Sequence, residues 1–106
     1  MLNNFNKELL HSLYSHDPLC IDCGRMASEA HHVLGRGKTK RLKHMSSIYN
    51  AALLCRYCHT KGNINKPDTR RRYLDLIAGF LDSQGYKKTE KDVAFLRYAR
   101  LELNHG

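Results

Sequence analysis

The chain lacks any apolar run approaching the ~20 residues that a membrane-spanning helix needs. Its opening, Met1-Leu2-Asn3-Asn4-Phe5-Asn6-Lys7-Glu8, lacks the basic segment and apolar stretch of a secretory signal. No low-complexity linker is present, and no internal repeat beyond two C-x-x-C pairs. Acidic residues are scarce: 10 Asp and Glu stand against 18 Lys and Arg, a formal charge of +8. No cysteine is left over once the four are grouped in pairs. These absences argue against a membrane protein, and the expected location is the cytoplasm. In that reducing setting, cysteine pairs more often hold metal than form disulfides. The basic excess favours a polyanionic partner over an acidic metabolite. At 106 residues the chain is sized for one domain. So small a domain buries limited surface and gains from an added staple.

What the chain does have is concentrated between Cys20 and His59. Cys20-Ile21-Asp22-Cys23-Gly24 opens this stretch and Cys55-Arg56-Tyr57-Cys58-His59 closes it. Four thiolates at this spacing suit tetrahedral zinc, and Gly24 permits a tight backbone beside the sulfurs. A site closed by Cys20, Cys23, Cys55 and Cys58 has no open position, so its zinc is expected to fold the domain, not to catalyse. The 31 residues between Cys23 and Cys55 exceed what a compact ribbon needs. They contain Glu29-Ala30-His31-His32-Val33, a glycine-bearing loop from Gly35 to His44, and the apolar stretch Ile48 to Leu54. The loop carries five basic residues, Arg36, Lys38, Lys40, Arg41 and Lys43.

Periodicity supplies the rest. Leu2, Phe5, Leu9 and Leu13 predict a helix over 2–14, ended by Asp17-Pro18. Residues 29–34 and 48–54 read as strands, and Cys55 to about Gly62 as a short helix. Tyr73, Leu74, Ile77, Phe80 and Leu81 form a helical stripe stopped at Gly85. Thr89-Glu90-Lys91-Asp92 resembles a capping box, and Val93, Leu96, Ala99 and Leu103 continue at helical spacing. The expected architecture is one α+β domain over 1–106. Its core lies at about 19–64, with helical flanks at 2–14 and 68–104.

In order and spacing, C-x-x-C, Ala30-His31-His32-Val33, Asn50 and Leu53-Leu54-Cys55-x-x-Cys58-His59 resemble the HNH endonucleases. These are zinc-containing members of the ββα-metal (His-Me finger) nucleases. The likeness covers about forty of the 106 residues and leaves out the flanking helices. It implies a small ββα-metal core with four-cysteine zinc knuckles, flanked by an N-terminal helix and a C-terminal helical hairpin. It implies that His32 is the general base, and that His31 and His59 hold a catalytic divalent ion (Mg²⁺, Mn²⁺, Co²⁺, Ni²⁺ or Zn²⁺). Asn50 would hold the loop and the base imidazole. The expected products carry 5′-phosphate and 3′-hydroxyl ends. The implied partner is DNA, duplex or branched, cut by nicking by a monomer or homodimer in a bacterial host. A larger phage, recombination or packaging protein is a further implied partner.

The chemistry needs such groups independently. Hydrolysis of a phosphodiester requires a base for the attacking water and stabilisation of charge on phosphorus and the leaving oxygen. A histidine of pKa ~6.5 is available neutral at cellular pH. His31 stands where the commoner family form has Asp. Two neutral imidazoles make a softer site, poorer for Mg²⁺ and better for Mn²⁺, Co²⁺ or Ni²⁺. Taken singly, the same residues read differently. His59 could be a zinc ligand or a packed ring, Asn50 a turn residue, and Arg70-Arg71-Arg72 a solvated face. His31 and His32 would point to opposite faces of a strand. His11, His16, His44 and His105 lack motif context and read as surface residues. The rival function is a non-catalytic zinc-ribbon module that binds nucleic acid through the same cysteines and basic loop.

Overall fold

The computed structural model describes residue 5 and residues 7–14, 18–35, 43–60 and 63–104. Two short strands lie at its centre, β1 (Glu29–His32) and β2 (Ala51–Leu54). They pair antiparallel, with Glu29 opposite Leu54, Ala30 opposite Leu53, His31 opposite Ala52 and His32 opposite Ala51. The small side chains at Ala30, Ala51 and Ala52 are buried and let neighbouring elements approach the sheet closely. The described residues form four helices, α1 (Lys7–Leu13), α2 (Arg56–Thr60), α3 (Pro67–Ser83) and α4 (Glu90–Asn104), of which α2 and α3 pack on the sheet and α4 on the turns before β2. The result is an α+β fold with one two-stranded antiparallel sheet among the described residues. No described helix is long and apolar enough to cross a membrane.

The helical boundaries follow from local chemistry. Pro67 sits in the first turn of α3, where its missing N–H costs nothing. The helix ends in a Schellman arrangement. Gly85 adopts φ 73°, the Tyr86 amide donates to the Leu81 carbonyl, and the Gly85 amide donates to that of Asp82. α4 starts on the expected capping box. The Thr89 amide donates to the Asp92 carboxylate at 2.9 Å, and the Asp92 amide to the Thr89 hydroxyl at 3.2 Å.

Tyr73, Ile77 and Leu81 turn the buried face of α3 onto β2 and the turn before it. Each such apolar side chain contributes about 1.5–3 kcal/mol when taken from water. Leu74 and Phe80 flank this stripe half-buried, and Tyr14 stacks on Phe80 at 4.7 Å, joining the end of α1 to α3.

Three expectations change. Described α1 covers Lys7–Leu13, and Leu2 lies outside the described residues. Residues 48–50 are not strand but a 3-10 turn, preceded by another at Lys43–Ser46. The Ser47 hydroxyl accepts from the Tyr49 amide at 3.1 Å and so bends the chain before β2 begins. In α4 the buried line is Asp92, Phe95 and Ala99, while Val93 is 44% exposed. The apolar spacing missed that phase because a carboxylate occupies one of the core positions.

Candidate functional site

The first C-x-x-C lies in a tight turn closed by the Leu19–Met26 bridge, with Gly24 at φ 78°. The Cys20 amide donates to the Arg25 carbonyl and the Ile21 amide to Leu53 of β2, so this turn is docked on the sheet. The second pair straddles the start of α2, where the Cys58 amide points at the Cys55 sulfur at 3.4 Å. The four sulfurs lie within 4.8 Å of one another, and those of Cys23 and Cys55 are 3.7 Å apart. Tetrahedral zinc with Zn–S bonds of ~2.3 Å sets its sulfurs ~3.8 Å apart, so the cluster fits such an ion. None of the four cysteines is in a disulfide.

Burial opposes ionisation of Cys20. The main-chain amides of Cys55, Cys23 and Asp22 and the Cys58 thiol outweigh it and draw its pKa to about 6. Burial pushes the Cys58 thiol up instead. These four residues could hold a structural metal such as zinc. From α3, the Tyr73 hydroxyl donates to Asp22 at 2.6 Å and Arg72 pairs with the same carboxylate at 3.5 Å, bracing the first turn.

The histidines divide between the two faces of β1. His31 faces α2, its ring 4.9 Å from that of His59 at an interplanar angle of 59°. Two imidazoles bound ~2.1 Å from one ion at roughly 90–109° would have ring centres ~4.6–5.3 Å apart, a range that includes the spacing of this pair. His32, on the opposite face, stacks on Phe5 at 4.1 Å. The strand therefore brings His31 to His59 and turns His32 away from both, at its last residue. Glu29 shares the His31 face, and its carboxylate meets His59 Nδ1 at 2.5 Å. The hydrogen bond to His59 holds the Glu29 carboxyl below its ordinary range. Its role was missed in the sequence, although the i, i+2 spacing to His31 on a strand marks a shared face.

Asn50 is wholly buried, and its side chain ties the two ends of the basic loop together. The Leu34 amide donates to Oδ1 at 2.8 Å, while Nδ2 donates to the carbonyls of Leu34 at 3.0 Å and Met45 at 2.9 Å. Its main-chain carbonyl takes the Val33 amide at 3.0 Å, fixing the residue after His32. These bonds join the residues that flank the loop, Leu34 and Met45. Both amide donors of Asn50 go to main-chain carbonyls, so neither is left for the His32 imidazole.

Behind Asn50 lies a second buried polar group. Asp92 is 0% exposed and accepts from the hydroxyls of Ser47 at 2.6 Å and Tyr86 at 2.5 Å. Burial alone would raise its pKa, but the donors from Ser47, Thr89 and Tyr86 outweigh it and lower it.

Of the basic loop, Arg36, Lys38, Lys40 and Arg41 lie outside the described residues, and Lys43 is exposed in its 3-10 turn. Arg71 pairs with Asp68 and donates to the Leu103 carbonyl, so part of the arginine run serves the helical hairpin. His11 is exposed as expected, whereas His44 is partly buried beside the Tyr98 ring. His16 and His105 fall outside the described residues. No protein-family model, curated protein or solved structure matches this chain.

Proposed function

We propose that the chain is a metal-dependent DNA endonuclease of the HNH type, built on a ββα-metal core of β1, β2 and α2. The observation that carries this reading is the pairing of the His31 and His59 rings, one residue beyond the four-cysteine cluster. In it, His31 and His59 hold a divalent ion, while Cys20, Cys23, Cys55 and Cys58 hold zinc. When bound, the ion supplies Lewis-acid stabilisation of charge on the phosphate and leaving oxygen. His32 takes the proton from the attacking water. His31 and His32 leave β1 on opposite faces at its last two positions, so this reading requires a phosphate seated across the strand end and a His32 ring released from its stack on Phe5. Asn50 fixes the loop ends beside that phosphate. Arg36, Lys38, Lys40, Arg41 and Lys43 contact neighbouring phosphates of duplex or branched DNA, which positions the substrate without reading its sequence.

A plasmid-nicking assay on chelated protein resupplied with Mn²⁺ tests this. His32→Ala should lose ~10²- to 10⁴-fold in rate, the usual worth of a general base, while keeping DNA affinity and zinc. Mn²⁺, Co²⁺ or Ni²⁺ should support at least the activity of Mg²⁺. Undiminished nicking by the variant removes His32 from the chemistry. The second reading, a non-catalytic zinc module that binds nucleic acid, is favoured by the Phe5–His32 stack, because a packed imidazole needs no catalytic duty. DNA binding without cleavage by any of these ions selects it.

A further inference from the structure

We infer that Glu29 is a positioning residue for His59: its carboxylate accepts a hydrogen bond from Nδ1–H and leaves Nε2 as the ring's one lone pair, available to an ion shared with His31. This rests on the divalent-ion site proposed above and extends it to a group outside the motif. Three observations converge. Glu29 Oε1 lies 2.5 Å from His59 Nδ1. Glu29 and His31 alternate onto the same face of β1, and His31 is the residue whose ring meets His59. Glu29 pairs with Leu54, the residue before Cys55, so the backbone that carries the cysteine cluster also sets the spacing from Glu29 to α2.

Glu29 does not act as a third ligand in this arrangement. Among the described residues, only the four sulfurs bring three or more ligand atoms within 4.8 Å of one another. The carboxylate instead takes the place that outer partners of metal-bound histidines take, orienting the ring and fixing its tautomer. A merely structural pair offers little: both side chains are about a third exposed (32% and 29%), and solvent screens such surface pairs.

The test is calorimetric titration of Mn²⁺ into the zinc-loaded full chain, with Glu29→Gln, Glu29→Ala, His31→Ala and His59→Ala. Mn²⁺ is chosen because it competes poorly for thiolates. Both Glu29 variants should bind Mn²⁺ ~10- to 100-fold more weakly, the usual cost of losing an outer partner. Both histidine variants should lose the site. Wild-type affinity in the Glu29 variants, with loss in the histidine variants, overturns the inference and keeps the ion site. Loss in Glu29→Gln as complete as in His31→Ala makes Glu29 a ligand and also overturns it. Unchanged binding in the histidine variants overturns the site itself. A metal-free readout separates positioning from packing: in nitrogen-15 spectra at mildly alkaline pH, His59 should carry its proton on Nδ1. That preference should be lost in Glu29→Ala, and its persistence there counts against the proposal.

Discussion

The sulfur cluster and the imidazole pair sit one residue apart at Cys58 and His59, yet they are built in opposite ways. Cys20, Cys55 and Cys58 are buried, main-chain amides reach the sulfurs of Cys20 and Cys55, and the four sulfurs already converge. His31 and His59 are half-buried, and in the proposed reading two rings alone would leave an ion open to further ligands. A closed set of donors suits a staple, and an open set suits chemistry. The same short helix, α2, serves both because Cys58 lies on its buried side while His59 turns toward β1. The difference makes separable demands: disturbing the sulfurs should unmake the fold, while disturbing the imidazoles should spare it.

The largest effect tests that division directly. Cys58→Ser, or removal of zinc by a strong chelator, should abolish cooperative thermal unfolding, because zinc-site free energy in small domains reaches ~10–16 kcal/mol and is folding free energy. His59→Ala should unfold within a few degrees of wild type. Near-ultraviolet circular dichroism and thermal melts measure both. Equal loss from the two changes would erase the distinction between staple and site.

The hydrogen-bonded frame around Asn50 comes next in size. Asn50→Ala removes three side-chain hydrogen bonds and strands the Leu34 amide and two carbonyls in a buried setting. A cost of about 2–4 kcal/mol follows, since an unmet buried polar group costs ~1–3 kcal/mol. Urea titration reads this. Zinc stoichiometry should stay at one, which places the damage on the loop and not on the sulfurs.

The sequence made the sulfur cluster legible because its spacing is local and its donor chemistry narrow. Asn50 stood out in the sequence only beside the motif. Its partners, Leu34 and Met45, are main-chain groups that any side chains could have carried. Glu29 was harder, since its partner His59 lies 30 positions away and the contact exists only once β1 meets α2. The helices were placed well by Pro67, Gly85 and the Thr89–Asp92 box, each of which acts within a few residues. The phase of α4 was not, because apolar periodicity cannot see a buried carboxylate that earns its place through Ser47 and Tyr86. The turn at residues 48–50 likewise depends on Ser47, whose hydroxyl is held from α4.

That dependence gives the smallest of the three effects and its own pH signature. Asp92 ties α4 to Ser47, which caps the turn carrying Asn50. Asp92→Asn should cost about 1–3 kcal/mol at neutral pH through weakened buried hydrogen bonds. The folded carboxyl titrates below its ordinary value, so between the folded pKa and the unfolded value of ~3.9 the unfolded chain binds more protons. Its contribution is therefore complete above the unfolded pKa and is lost as pH falls through the folded one. Acid also releases zinc from thiolates, which affects wild type and variant alike. Subtracting the two isolates the carboxylate. The gap between their urea midpoints should be constant near neutrality and narrow below about pH 4. A gap that stays fixed into acid would mean that the α4 anchor does not depend on charge, leaving the sulfurs alone responsible for the acid sensitivity of the fold.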